Sequence, residues 1–168
     1  GRIMREYPTS AGIDMGGTSF DVSLVVDGKP DVASETTFEG FPLMMSVVNI
    51  HTIGAGGGSV AWIEAGGLRV GPRSAGAQPG PACYGRGGTE PTVTDANFVL
   101  GRVDAENFAG GQMRLDREAA ARALETVGAE LGFDVIEMAE GICNVANSQM
   151  AQAIRTVATR DGDDFVIS

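Results

Sequence analysis

A carboxylate, two adjacent glycines and two hydroxyls stand together in the segment Asp14-Met15-Gly16-Gly17-Thr18-Ser19-Phe20-Asp21-Val22. Glycine lets backbone N–H groups approach an anion with no Cβ in the way, and a concave run of such groups holds phosphate oxygens. Thr18 and Ser19 add hydroxyl donors, so Gly16, Gly17, Thr18 and Ser19 are the candidate phosphate-binding residues. A carboxylate beside a phosphate is repulsive unless a cation lies between them. Asp14 is therefore the candidate to face a hydrated divalent metal such as Mg²⁺. The competing reading is a tight hairpin turn with no ligand, since Gly-Gly turns are common in sheets.

A second glycine-rich run, Gly54-Ala55-Gly56-Gly57-Gly58-Ser59, comes shortly after His51, the sole histidine. It is not a dinucleotide fingerprint, because G-x-G-x-x-G needs glycine where Ser59 stands and the stretch from Val60 to Glu64 is too short for the required helix. A Walker-type loop is excluded as well, since the single lysine, Lys29, sits in a turn. So many glycines cost backbone entropy on ordering. They mark a place where the main chain closely approaches another segment or a ligand, which makes Gly56, Gly57 and Gly58 candidate binding residues. His51 is a candidate metal ligand alongside Asp14, or a general base; the plain alternative is a structural histidine on a strand. Cys83 is a weaker nucleophile candidate, because no second histidine is present to activate it. Asp95, at a helix start, stabilises the helix dipole.

The elements that must position these residues can be read from periodicity. Gly12 to Met15, Phe20 to Val26 and Val32 to Phe38 read as a β-meander with a bend at Asp27-Gly28-Lys29-Pro30. A further turn falls around Phe41-Pro42, and Val47 to Ile53 is the next strand. Ser59 to Glu64 and Leu68 to Val70 flank Ala65-Gly66-Gly67 as a hairpin. Residues 71 to 91, rich in proline and glycine, read as an ordered irregular loop packed on the core. The second half is helical: Thr94 caps a short helix over Asp95 to Leu100, Asp116 precedes a helix from Arg117 to Leu131, and Asp134 with Glu137 opens a long helix to about Thr159. On that helix Ile136, Ala139, Ile142, Cys143, Ala146, Met150, Ala153, Ile154 and Val157 trace one apolar face. Cys143 is thereby a small core hydrophobe rather than a reactive thiol. A strand begins after Asp163-Asp164. The fold class is mixed α/β, a β-rich first half followed by helices.

Composition narrows the function. The chain has 168 residues and a formal net charge of −10, which argues against a sequence-independent nucleic-acid binder. Any nucleotide must be held by backbone groups, hydroxyls and a metal. No apolar run approaches the roughly 20 residues of a membrane span. With one histidine and two cysteines there is no four-ligand zinc set, and a reduced, cytoplasmic compartment is the simpler expectation. No secretory or transit segment is visible. Gly1-Arg2-Ile3 ahead of Met4, with a strand start at the other end, gives the expectation of a single-domain fragment, residues 1–168, of a longer polypeptide.

The string Asp14 to Val22 is similar to the second phosphate loop of the actin, sugar kinase and heat-shock chaperone ATPase superfamily. Three more segments resemble the hydantoinase A/5-oxoprolinase (N-methylhydantoinase A) family: His51 through Trp62; Val70-Gly71-Pro72 through Gly80-Pro81-Ala82-Cys83-Tyr84-Gly85 to Thr94-Asp95-Ala96-Asn97; and Val145-Ala146-Asn147 with Ala153-Ile154-Arg155. The resemblance implies an actin-like ATPase (ribonuclease H-like) lobe and ATP-dependent opening of hydantoin, N-methylhydantoin or 5-oxoproline. It implies ATP and Mg²⁺ or another divalent metal as cofactors, and a second subunit of hydantoinase B type as partner. By analogy Asp14 positions the metal, Gly16, Gly17, Thr18 and Ser19 bind phosphate oxygens, and His51 with the glycine run lies near the transferred phosphoryl group or the substrate. Relatives that serve as ATP-using subunits of acetone or acetophenone carboxylases supply an alternative. A nucleotide-gated interaction module without catalysis is another. The superfamily's first phosphate loop and its adenosine-binding Gly-Gly segment are not in this chain, so the chain alone is expected to bind nucleotide weakly and not to turn over.

Overall fold

The computed structural model describes residues 9–33, 36–38, 41–43, 46–158 and 166–167. The strands in chain order are β1 (Ser10–Met15), β2 (Phe20–Val26), β3 (Lys29–Pro30), β4 (Val32–Ala33), β5 (Thr36–Phe38), β6 (Phe41–Leu43), β7 (Val47–Val48), β8 (Ile50–Ile53), β9 (Ser59–Glu64), β10 (Gly67–Ser74) and β11 (Val166–Ile167). The α-helices are α1 (Val93–Val99), α2 (Arg117–Leu131) and α3 (Val135–Ala158), with 3₁₀ turns at Ala82–Tyr84 and Phe108–Gly111. Strands thus come first and helices after, apart from the short closing strand β11. Among the described residues no helix is long and apolar enough to cross a membrane.

The chain divides into two compact units. The first, Gly1–Asp14, Phe20–Ile53 and Ala151–Ser168, is built on a sheet in the order β11-β1-β2-β3, with β8 also paired to β2. β1 and β11 run parallel, with Ser10 opposite Val166; β2 and β8 run antiparallel, with Val22 opposite His51. Alternation along β2 buries Phe20, Val22 and Leu24. β2 returns into β3 through Asp27 and Gly28, whose φ values of 51° and 71° make the primed two-residue turn that matches strand twist.

The second unit, Met15–Ser19 with Gly54–Met150, holds the larger core. The β9–β10 hairpin lies in this unit with all of α1 and α2 and most of α3, and its core includes Val70, Phe98, Leu124, Met138 and Ile142. Burying a side chain of this size is worth about 1.5–3 kcal/mol, so this cluster dominates the unit's stability. α2 begins on Asp116, whose carboxylate accepts from the Ala119 amide at 2.9 Å, and stops at Gly132 in the left-handed region. α3 opens on a capping box: Asp134 accepts from the Glu137 amide at 2.8 Å while Glu137 accepts from the Asp134 amide at 2.9 Å.

Several expectations shift. The cap of α1 is Thr92, not Thr94, because Asp95 three residues on closes a reciprocal capping box with Thr92. Phe41-Pro42 is strand rather than turn, with Phe38 opposite Phe41 in a two-stranded pair where proline costs little. β10 runs to Ser74, beyond the expected Val70, after a register shift that leaves Ser74 opposite Ser59. Ile136 is 47% exposed, so the buried face of α3 starts at Met138 and Ala139 rather than at the first residue of the expected stripe. Thr159 and the start of the last strand at Asp163-Asp164 lie outside the described residues.

Candidate functional site

The phosphate-loop candidate is a turn braced from behind. The Gly16 amide donates to the Ser19 carbonyl at 2.9 Å, closing the bend. The second glycine run then lies against it. The Gly57 amide donates to the Gly16 carbonyl at 3.0 Å, and the Gly58 amide donates to the Gly17 carbonyl at 2.6 Å. The Gly56 amide is taken by the Ser59 hydroxyl at 2.8 Å. A Cβ on Gly56 would lie 2.8 Å from three backbone atoms of Gly16, Gly17 and Thr18, so only glycine permits this approach.

This geometry divides the two candidate sets. The amides of Gly56, Gly57 and Gly58 are all donated to internal acceptors, so the close approach expected of this run is made to another segment of the chain. They support the candidate phosphate loop. On that loop, Gly16, Gly17 and Ser19 have their carbonyls occupied, whereas the amides of Gly17 and Thr18 have no hydrogen-bond partner among the described residues. Both residues are exposed, and a Cβ on Gly17 would meet nothing within 4 Å. A bend with its acceptors turned inward and its donors left open has the polarity an anion requires.

Asp14 and His51 are placed separately. A Cβ on Gly12 would touch the Ser23 hydroxyl oxygen at 2.9 Å, so those two residues share a face of the sheet. Side chains alternate along a strand, which puts Asp14 on the Gly12 face and Asp21 on the Ser23 face, the same one. There the Thr52 hydroxyl donates to the Asp21 carboxylate at 2.6 Å. His51 stands opposite Val22, on the other face with Phe20 and Leu24, and is half-buried. One ion bound by both side chains does not fit. Among the described residues no three His, Cys, Asp or Glu side chains converge as a metal site. An exposed, single carboxylate at Asp14 fits a hydrated Mg²⁺, which keeps most of its waters and takes only one or two protein carboxylates.

Cys83 is not a nucleophile. It is fully buried, and burial first, then the neighbouring Asp95 carboxylate, pushes its thiol far above the ordinary range. Cys143 is buried on α3, and burial raises its thiol too. Asp95 does more than stabilise a dipole. It is completely buried and accepts from the Cys83 amide at 2.7 Å, the Ala82 amide at 3.2 Å, and the Thr92 hydroxyl and amide at 2.8 and 2.9 Å. It thereby ties the proline-rich loop to α1. In that loop a cleft of about 310 Å³ is flanked by Arg73 and Glu90, which form a bidentate ion pair.

Sequence reasoning missed the supporting roles of Thr94 and Ser59. Their partners, Gly57 and Gly56, come from another part of the chain or from a backbone amide, and neither is written in a motif. The single available signal was the density of small polar residues around the glycine run.

Known proteins resemble this chain over most of its length. The chain is 46% identical over 154 residues to caprolactamase subunit alpha of Pseudomonas jessenii, covering 90% of this chain and 22% of that protein. It is 40% identical over 161 residues to the acetophenone carboxylase gamma subunit of Aromatoleum aromaticum, covering 92% of this chain and 22% of that one. The crystal structure of the ATP-dependent caprolactamase from Pseudomonas jessenii superposes with a TM-score of 0.85 at 40% identity, over 99% of this chain and 25% of that one. The chain therefore spans about a quarter or less of the length of these relatives, and its α/β fold is that of the corresponding part of the ATP-dependent caprolactamase it superposes on. With residues 4–166 matching the hydantoinase/oxoprolinase family, the chain belongs to that family.

Proposed function

We propose that this chain is the phosphate-gripping part of an enzyme that spends ATP to open a cyclic amide, of the hydantoin, N-methylhydantoin, 5-oxoproline or larger lactam type. One observation carries the reading: the Gly16–Ser19 bend, with the Gly17 and Thr18 amides open and its carbonyls bound behind. In this reading the two amides donate to oxygens of the terminal phosphates, and the Thr18 and Ser19 hydroxyls are further candidate donors. Asp14, two residues ahead of Gly16, orients the water shell of the metal. Bound Mg²⁺ supplies the positive charge that lets a carboxylate and a triphosphate share this region of a chain with net charge −10.

The chemistry suits the substrate class. An amide nitrogen is a poor leaving group. Transfer of the γ-phosphoryl group to the ring oxygen, with ADP departing, makes the carbonyl carbon an electrophile. Water adds to it, the adduct breaks its C–N bond and expels the ring nitrogen as an amine, and a second water releases inorganic phosphate from the acyl phosphate left behind. The role of the chain is to hold the phosphates in line and spread their charge over fixed donors. His51, on the opposite sheet face from Asp14, is assigned no metal role; it remains a candidate acid or base on its own face. Both compact units belong, in this reading, to one hydantoinase A/oxoprolinase domain. The enzyme acts in the cytoplasm with a second subunit of hydantoinase B type; relatives named as subunits support a partner.

The similarity to a carboxylase subunit favours one second reading, in which the phosphate acceptor is bicarbonate and the final substrate a ketone. Product analysis separates the two. The intact enzyme, with its partner subunit, ATP and Mg²⁺, is offered hydantoins, oxoproline, lactams, and ketones with bicarbonate. A ring-opened acid formed with one ADP per turnover supports the amide reading, and a carboxylated ketone replaces it. The Gly17→Ala variant tests the grip itself. Its added methyl group meets no protein atom, so the fold is retained while the KM for ATP rises about tenfold or more. An unchanged KM for ATP would remove the phosphate role of the bend.

A further inference from the structure

Thr94 lies in the first turn of α1, and both its backbone amide and its hydroxyl donate to the Gly57 carbonyl, each at 2.8 Å. First-turn amides have no acceptor inside their own helix and must find one elsewhere. Here the acceptor belongs to the residue whose own amide holds the Gly16 carbonyl. A Cβ at Gly57 would sit 2.8 Å from the Thr94 hydroxyl oxygen, so the glycine and the hydroxyl are matched: a side chain at one displaces the other. The neighbouring strut is similar in kind. The Ala75 amide donates to the Gly58 carbonyl at 2.8 Å, and Gly58 in turn holds Gly17. Both glycines whose amides donate to the bend are thus pinned from outside it.

We infer that Thr94 is a positioning residue for the nucleotide phosphates: through Gly57 it fixes the Gly16 carbonyl inward, which keeps the Gly17 and Thr18 amides open to the anion. This rests on the reading that the bend grips phosphate. The amide of residue 94 alone locates Gly57 and survives any substitution except proline. The hydroxyl adds a second donor to the same oxygen and sets the tilt of the peptide, which is the property a phosphate-facing amide is sensitive to. Residues 57 and 94 therefore contribute to ATP affinity without touching ATP.

The test compares Thr94→Val with Thr94→Ser in the intact enzyme with Mg²⁺ and ATP. Loss of the hydroxyl raises the KM for ATP about fivefold to tenfold, while kcat and the KM for the amide move less than about twofold. Serine, which restores the donor, returns the KM to within about twofold of wild type. Thr94→Ala, which adds no methyl group against Gly57, gives the same result as valine and stands in for it if valine does not fold. Deuterium exchange of the hydrogen-bonded Gly16, Gly57 and Gly58 amides without nucleotide provides a readout independent of ATP: it quickens in the valine and alanine variants and not in the serine one. If valine and alanine leave both exchange and the KM for ATP at wild-type values, or if serine behaves as they do, the positioning role is overturned. If exchange quickens as expected yet Gly17→Ala leaves the KM for ATP unchanged, it is the phosphate reading that fails.

Discussion

At the scale of single residues, the two glycine clusters do different work, and substitution separates them. Gly17 faces open space, and Gly56 has three backbone atoms where its Cβ would go. Gly56→Ala should therefore lower stability by about 2 kcal/mol through overpacking, a fall of roughly 5 °C in Tm, while Gly17→Ala leaves Tm within about 1 °C. Thermal unfolding followed by circular dichroism checks both, and equal shifts would contradict the brace. The string Asp14 to Val22 made the bend and its candidate donors legible, because residue type and strand alternation are local. The direction of the Gly56–Gly58 amides was not legible. For Gly57 and Gly58 it depends on carbonyls that belong to residues about forty positions earlier, and for Gly56 on the Ser59 hydroxyl. The opposed faces of Asp14 and His51 were hidden for a similar reason, since they depend on the pairing of Val22 with His51.

At the scale of elements, most of the helices were readable, down to the Asp116 and Gly132 bounds of α2, because caps are written in neighbouring residues. The misplaced cap of α1 shows the limit: Thr92 and Thr94 are both capping types, and only Asp95 at the third position after Thr92 decides between them. The packing of α2 on α3 was beyond sequence. Gly128 lies inside α2, where alanine normally stabilises by about 1 kcal/mol. Its Cβ would come within 2.9 Å of the Phe133 carbonyl and 3.4 Å of the Met138 side chain. The expected outcome for Gly128→Ala is a net loss of about 1–2 kcal/mol, read from urea unfolding. A gain would mean that the tight passage between the two helices yields easily.

At the scale of the whole molecule, charge is the dominant quantity. There are 22 acidic and 12 basic residues, and the three ion pairs among the described residues are all largely exposed, so attraction recovers little. Self-repulsion is screened over about 10 Å at 0.1 M salt. Raising sodium chloride from about 20 to 200 mM should accordingly increase Tm by a few degrees. A decrease would show that specific ion pairs outweigh the general repulsion. The sign of this effect was legible from composition; the placement of the charges was not. The bend of Gly16–Ser19 has one more implication, for protein engineering. Because its shape is imposed by Gly56–Gly58, Ser59 and Thr94, transplanting the short Asp14–Val22 string onto a foreign hairpin would transfer the lettering without the grip. A working graft must carry the distant glycines with it.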